Sequence, residues 1–258
     1  MLIKRFIGGK TINHAKKLQL PFGKIYDYVK ESDPKSHLEN HKKNIYGLES
    51  TINSIHAIKL TGLYNSNLEN YLDDYNKVGL KQNHKILIDA ENVESQEMIN
   101  KYTDYCIKNY NIFYKTYQMY RKDQLKLLEI DLEKYKERNF GIKLVRGAYY
   151  NEDKVTGLLH KNKDDTDKDY NNAIELLSNY NNDVIIATHN RESCNLALKY
   201  NRDFKYAQLL GMNDELSKYL LDKNNDVYKY IPYGSWYESI PYLVRRLYEN
   251  YDIIKYVV

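Results

Sequence analysis

Eight short apolar or β-branched runs, separated by longer polar-rich stretches, constrain this 258-residue chain more than any other feature. They are GKIYDYV (23–29), IHAIKLTGL (55–63), HKILIDA (84–90), NIFYKTYQ (111–118), GIKLVRGAY (141–149), DVIIATHN (183–190), FKYAQLLGM (204–212) and DVYKYIPYG (226–234). Each is strand-sized, and the intervening segments, such as 95–110 and 122–139, carry apolar residues at helical spacing. No Pro- or Gly-rich linker interrupts the series, so residues 1–258 read as a single domain. Eight strands alternating with helices in a chain of this length point to a (β/α)8 TIM-type barrel. A doubly wound open sheet is the alternative, but it uses fewer strands and a glycine fingerprint that is missing here.

Nearly every run ends in polar or reactive residues: Lys59, Asp89, Gln118, Arg146, His189 and Asn190, Gln208, Tyr230. Barrel strands are buried on both faces and should be apolar throughout. Polar residues at their carboxyl ends belong to the face where such barrels keep their active sites. Singly, each has a plainer reading. His189 could be a satisfied core histidine, Asp89 a cap for the following helix, and Lys59 a snorkelling rim lysine. In register, they favour an enzyme.

Composition excludes several other classes. Net charge is 39 − 35 = +4, with both signs dispersed and no basic block interleaved with aromatics, which argues against nucleic acid. The apolar runs are too short to span a membrane. Cys106 and Cys194 are far apart and in no metal-type spacing, so they read as buried thiols, and no metal site is expected. The 28 tyrosines against 5 phenylalanines read as compositional bias of the source. Residues 1–26 hold bases and no acid, as a mitochondrial presequence would, but also no serine. The stretch RFIGGKTINHAKKLQL already reads as a helix of the domain, so a cleaved targeting segment is not expected.

The segment PYLVRRLYEN (241–250) reads as an amphipathic helix with Pro241 in its first turn. At 100° per residue, Tyr242, Arg246 and Glu249 share a line beside Arg245, opposite Leu243, Val244 and Leu247. The plain reading is a solvated face with an Arg245–Glu249 pair. The sharper one is an oxyanion clamp, because guanidinium groups match carboxylates and phosphates bidentately.

YDYVKES, AIKLTGL, ILIDAEN, TYQMY, KLVRGAY, ATHN, QLLGM, YKYIPYG and PYLVRRLYEN together resemble the successive motifs of proline dehydrogenases, most closely the eukaryotic branch, in order over residues 5–252. The resemblance implies a modified (β/α)8 barrel that binds FAD, with the last helix lying over the C-terminal mouth. It implies oxidation of L-proline to Δ1-pyrroline-5-carboxylate, the first step of proline catabolism. Electrons would pass to a quinone-type acceptor, and the location would be mitochondrial; membrane association and oligomeric state are not readable from the sequence.

Carried over by position, the resemblance implies that Arg245, Arg246 and Lys59 bind the proline carboxylate. Tyr230, Tyr242, Leu209, Ala148 and Tyr149 would pack on the ring. Asp89 takes the place of a catalytic-site aspartate, and Lys143 that of an arginine in many bacterial members. Arg146, Gly147, Ala148, Thr188, His189, Asn190 and Gln208 would line the flavin, with Glu249 supporting it from the last helix. Many bacterial members have a flavin-contacting glutamine at the position of Lys115, so either Lys115 or Gln118 would serve here. Glu31 would pair with Arg245 as a gate. A tyrosine at position 230 would crowd a ring hydroxyl, so proline is expected over hydroxyproline. Three further readings are a hydroxyproline dehydrogenase, a barrel that binds proline or a nucleotide without turnover, and an unrelated barrel hydrolase or aldolase using Lys59 or Asp89.

Overall fold

The structure, a computed structural model, describes residues 5–138 and 140–249, except the side chains of Pro241 and of residues 245–249. Each of the eight runs contains a strand: β1 Gly23–Tyr28, β2 Ile55–Ile58, β3 Lys85–Ile88, β4 Phe113–Gln118, β5 Gly141–Val145, β6 Val184–Ala187, β7 Lys205–Leu209 and β8 Val227–Tyr233. All pair in parallel, in chain order, and β8 closes onto β1 through the register Ile25↔Tyr230.

Side chains alternate across each strand. Ile25, Ile55, Ala57, Leu87, Tyr114, Ile185, Ala207 and Tyr230 fill the barrel interior. The neighbouring positions, such as Ile86 and Ile88 or Ile142 and Leu144, face the helix layer. A run that is apolar at every position is therefore what a doubly covered strand requires.

The helices are α1 Ile12–Lys16, α2 His37–Glu49, α3 Leu68–Gln82, α4 Val93–Asn109, α5 Gln124–Lys134, α6 Tyr150–Asp153, α7 Lys163–Leu177, α8 Arg191–Ala197, α9 Asp214–Asp222 and α10 Trp236–Glu249. Asparagine starts four of them. The side-chain oxygens of Asn92, Asn162, Asn190 and Asn213 accept from the backbone N–H groups of Ser95, Asp165, Ser193 and Leu216. Each such cap contributes about 1 kcal/mol. Asn92, and not Asp89, caps α4, which leaves the Asp89 carboxylate to the barrel mouth.

Two helix expectations are corrected. The stretch before β1 forms only the five residues of α1, since Gly8 and Gly9 precede it and Lys17 ends it. The last helix starts at Trp236, so Pro241 lies inside it and not in its first turn. A proline at the sixth helical position has no N–H to bond the carbonyl of Tyr237, so it costs the helix one interior hydrogen bond.

α10 does not pack along the outside of the barrel. Its Tyr242 and Leu243 cluster with Phe6, Ile7, Val29 and Met212, and Leu209 at the end of β7 joins them. Leu209 also packs against the interior cluster. The helix therefore lies across the C-terminal mouth, with its inner residues seated on the strand ends.

Candidate active site

The carboxyl ends of the strands bring the chemistry together. In β1, Asp27 shares its face with Ile25, so a fully buried carboxylate points into the barrel. Its register neighbours are Ala57 and Pro232, which are small enough to admit a second polar group. That group is Lys59, just past β2, whose ammonium donates to Asp27 Oδ1. Lys59 Nζ also lies 3.7 Å from Asp89 Oδ2 and 5.5 Å from the Tyr242 ring centroid beneath α10.

The other oxygen of Asp89 is the acceptor for two donors. Lys143 Nζ from β5 lies 2.5 Å from Oδ1, and the Tyr230 hydroxyl from β8 donates to it at 2.9 Å. Lys143 also donates to the Tyr230 oxygen at 2.8 Å. Asp27, Lys59, Asp89 and Lys143 thus form an alternating row of charges, each at most 6% exposed. Burial of an isolated charge is prohibitive, whereas opposite neighbours offset the cost.

Titration follows the same arrangement. Burial by itself would drag the Lys59 ammonium down, but the Asp27 and Asp89 carboxylates outweigh it and hold its pKa above the ordinary lysine value. Burial would raise Asp89, but Lys143 and Lys59 reverse that and keep it below the usual carboxylate range. Tyr230 is pushed far up by burial and by Asp89, so it stays protonated as a donor.

Beside this row, the ends of β4 and β6 present uncharged polar groups to the mouth, Gln118 and His189. Gln118 donates to the Glu91 carbonyl at 2.7 Å, while its own Oε1 is buried with no partner among the described residues. His189 Nε2 accepts from the Leu209 N–H at 3.3 Å, so the ring's proton resides on Nδ1. That Nδ1 is also buried without a partner among the described residues. Burial, and then the Lys229 charge, push the His189 pKa down to about 3 and keep the ring neutral. Gly147 follows β5 with φ +142, where an added Cβ would strike the Tyr120 ring. Only glycine lets the backbone turn that closely there.

Other predicted residues sit on the rim. Tyr149 is buried and its hydroxyl donates to Glu31 at 3.0 Å, while Ala148 beside it is half-buried. Arg146 spans the rim toward the helices, bonded to Asp167 at 2.6 Å, to the Thr188 hydroxyl at 2.5 Å and to Ser193 at 2.9 Å. Asn190 caps α8. The side chains of Arg245, Arg246 and Glu249 lie outside the described residues.

Two cofactor candidates are corrected. Lys115 shares the parity of Phe113 and Tyr117, so it points outward between α4 and α5, where it meets Asp104 at 3.2 Å and Asp131 at 2.8 Å. Of the Lys115 and Gln118 alternatives, only Gln118 faces the mouth. Gln208 is likewise outward, accepting from Ser217 of α9 at 3.0 Å and donating to the Thr188 carbonyl at 3.2 Å.

Two acids escaped the sequence reading. Asp27 carried a signal, an acid alternating with Ile25 inside an otherwise apolar strand. Glu91 lies two residues past Asp89 and is 1% exposed; it accepts from the Thr61 N–H at 3.1 Å and from the Thr61 hydroxyl. Burial raises its carboxyl to about 7.

The profile of the proline dehydrogenase family matches residues 10–257. The chain belongs to the proline dehydrogenase family. Among similar proteins, the mitochondrial proline dehydrogenase 1 of Dictyostelium discoideum is 36% identical over 200 residues, which cover 66% of this chain and 35% of that protein. A hydroxyproline dehydrogenase of Rattus norvegicus is 36% identical over 165 residues, covering 55% of this chain and 36% of that protein. The chain thus spans about a third of the length of these curated relatives. The proline utilization A protein of Bdellovibrio bacteriovorus, solved after inactivation by N-propargylglycine, superposes with a TM-score of 0.82 at 20% identity. That superposition covers 96% of this chain and 32% of the other and supports the barrel fold. Among the described residues, no helix is long and apolar enough to cross a membrane.

Proposed function

We propose that this proline dehydrogenase-family barrel oxidises L-proline to Δ1-pyrroline-5-carboxylate with FAD as its cofactor, passing the electrons on to a quinone-type acceptor. The observation that carries the reading is the buried row Asp27–Lys59–Asp89–Lys143, with Tyr230 bonded into it, beneath Tyr242 of the covering helix. A mitochondrial location is part of the proposal, by analogy with the Dictyostelium relative.

Oxidation removes a hydride from the ring carbon next to nitrogen and a proton from nitrogen, leaving a C=N bond. A flavin, when bound, supplies the hydride acceptor. The ends of β4 and β6 fit such a group. Gln118 Oε1 is an unsatisfied buried acceptor and His189 Nδ1–H an unsatisfied buried donor. The isoalloxazine edge carries both carbonyl oxygens and a ring N–H, and buried polar atoms need such partners. Gly147, Ala148, Arg146 and Thr188 would complete that side.

The charged arc suits the substrate. Lys59 presents a fixed cation to the one permanent anionic handle of proline, and Arg245 and Arg246 would add a bidentate clamp from α10. Charge-assisted hydrogen bonds of this kind contribute about 1.5–3 kcal/mol each. Leu209 and the rings of Tyr230 and Tyr242 would wall the pyrrolidine, while Tyr149 and Glu31 close the rim. By excluding water, the covering helix would strengthen each of these electrostatic contacts.

Anaerobic addition of L-proline to the flavin-loaded protein tests the reading. Bleaching of the oxidised-flavin absorbance is expected. Persistent colour would leave a non-catalytic proline- or flavin-binding barrel, and protein that takes up no flavin would return the site to a different barrel chemistry. Arg245→Ala and Arg246→Ala are expected to raise the proline KM by orders of magnitude while leaving flavin content nearly unchanged.

A further inference from the structure

We propose that Asp27 is the positioning residue for Lys59: it sets where the substrate-binding ammonium sits, acting on substrate only through that lysine. The inference rests on the reading of Lys59 as a proline carboxylate ligand.

Asp27 is fully buried near the carboxyl end of the β1–β8 pairing, opposite Pro232. A carboxylate there is not explained by stability, because well-packed apolar residues generally replace buried ion pairs at no loss. Its Oδ1 accepts from Lys59, and its Oδ2 has no hydrogen-bond partner among the described residues. Lys59 is therefore the group that holds Asp27, and the dependence runs both ways. The alternative anchor, Asp89, is 3.7 Å from the Lys59 ammonium, and its Oδ1 is taken by Lys143 and Tyr230. Without Asp27, the lysine would be drawn toward Asp89 and into competition with Lys143 for one carboxylate.

The charge balance leads to the same arrangement. The groups facing Lys59 are Asp27 from β1, Asp89 and Glu91 from the segment after β3, Lys143 from β5, Tyr233 from β8 and Tyr242 from α10. Burial opposes the charged lysine most strongly, and Asp27 is the largest of the contributions that oppose burial. Replacing Asp27 by a neutral group removes the largest contribution that opposes burial and leaves Asp89, and after it Tyr242, to hold the Lys59 proton. Loss of the Lys59 proton should then move to lower pH.

A double-mutant cycle on the flavin-loaded protein tests this, using Asp27→Asn, Lys59→Met and the pair. Asp27→Asn should raise the L-proline KM at least about tenfold with kcat within about threefold, and should bring the alkaline fall of kcat/KM to lower pH. Asp27→Glu should recover part of the KM. The pair should bind no worse than Lys59→Met alone. Binding of cyclopentanecarboxylate, read from perturbation of the flavin spectrum, repeats the cycle without turnover. It therefore reports on Asp27 even if L-proline fails to bleach the flavin and the oxidation reading falls. Additive effects of the two substitutions, a KM in Asp27→Asn at or below wild type, or an unmoved pH profile would overturn the positioning role.

Discussion

Lys143 and Tyr230 converge on one oxygen of Asp89, at 2.5 and 2.9 Å, and touch each other at 2.8 Å. Strands β3, β5 and β8 thereby meet at a single buried atom. Displacing Lys143 would leave a buried ammonium and a buried carboxylate each short of a partner.

Asp89→Asn keeps the shape but removes the anion between Lys59 and Lys143. Two buried ammonium groups would then share only Asp27. The expected cost is about 3–5 kcal/mol of stability, or roughly 6–20 °C in Tm, together with loss of turnover. Thermal unfolding of the variant beside wild type checks it, and an unchanged Tm would mean the row is not a coupled ion network.

The hydroxyl of Tyr230 is committed to Asp89 and Lys143, so its ring cannot swing aside for a substituted substrate. L-Proline is expected to exceed trans-4-hydroxy-L-proline in kcat/KM by about 10–200-fold, the usual range for pocket discrimination of this kind. Tyr230→Ser should narrow the ratio by opening space. A wild-type ratio of one or less would favour a hydroxyproline enzyme.

Lys115 supports the wall between β4 and the helix layer. Among the described residues, Lys115→Met leaves Asp131, which is 2% exposed, with the Tyr117 hydroxyl at 2.7 Å as its one side-chain partner. Stability is expected to fall by about 3–5 kcal/mol while flavin content and proline KM stay at wild-type values. Urea unfolding and flavin absorbance give the two readouts. Lost flavin with an unshifted urea midpoint would restore Lys115 to the cofactor site.

Acid–base titration should reveal three buried groups of opposite sign. The Glu91 carboxyl is raised from 4.5 to about 7, chiefly by burial. The unfolded chain therefore binds fewer protons than the folded one in that window, and Glu91 removes up to about 3 kcal/mol of stability as pH rises from 4.5 to 7. His56 and His189 are lowered by burial from 6.5 to about 3, so they add stability as pH rises from about 3 to 6.5. Between pH 4.5 and 6.5 Glu91 offsets the contribution of one of the two histidines. Glu91→Gln should steepen the rise with pH of the unfolding free energy, read from urea unfolding, by about 1.4 kcal/mol per pH unit in that window. Parallel wild-type and variant curves would remove Glu91 from the titration.

Much of the mouth was legible because barrel strands present their carboxyl ends to one face. Lys59, Asp89 and Tyr230 could be found from their positions at or near the ends of apolar runs. The sequence left Lys115 and Gln118 as alternatives because similarity of motif carries position along the chain but not which side of a strand a residue takes. One residue of parity separates Gln118, which faces the mouth, from Tyr117, which bonds Asp131 behind it. Asp27 was overlooked for a related reason. It lies within its run and not at the end, and only the closure of β1 onto β8 and β2 shows that a lysine waits opposite.

Period and punctuation in the chain determined eight strands, their alternation with helices, and hence a closed parallel barrel, since strands covered on both sides must be apolar throughout and helices only on one face. Those are local properties, set within a few residues of each position. Which buried charges neutralise one another, and which polar atoms stay unmatched at the mouth, depended on residues brought together from β1, β2, β3, β5 and β8. Such pairing belongs to the register of the closed sheet and the seating of α10, because electrostatic contact falls off over a few ångströms of space irrespective of distance along the chain.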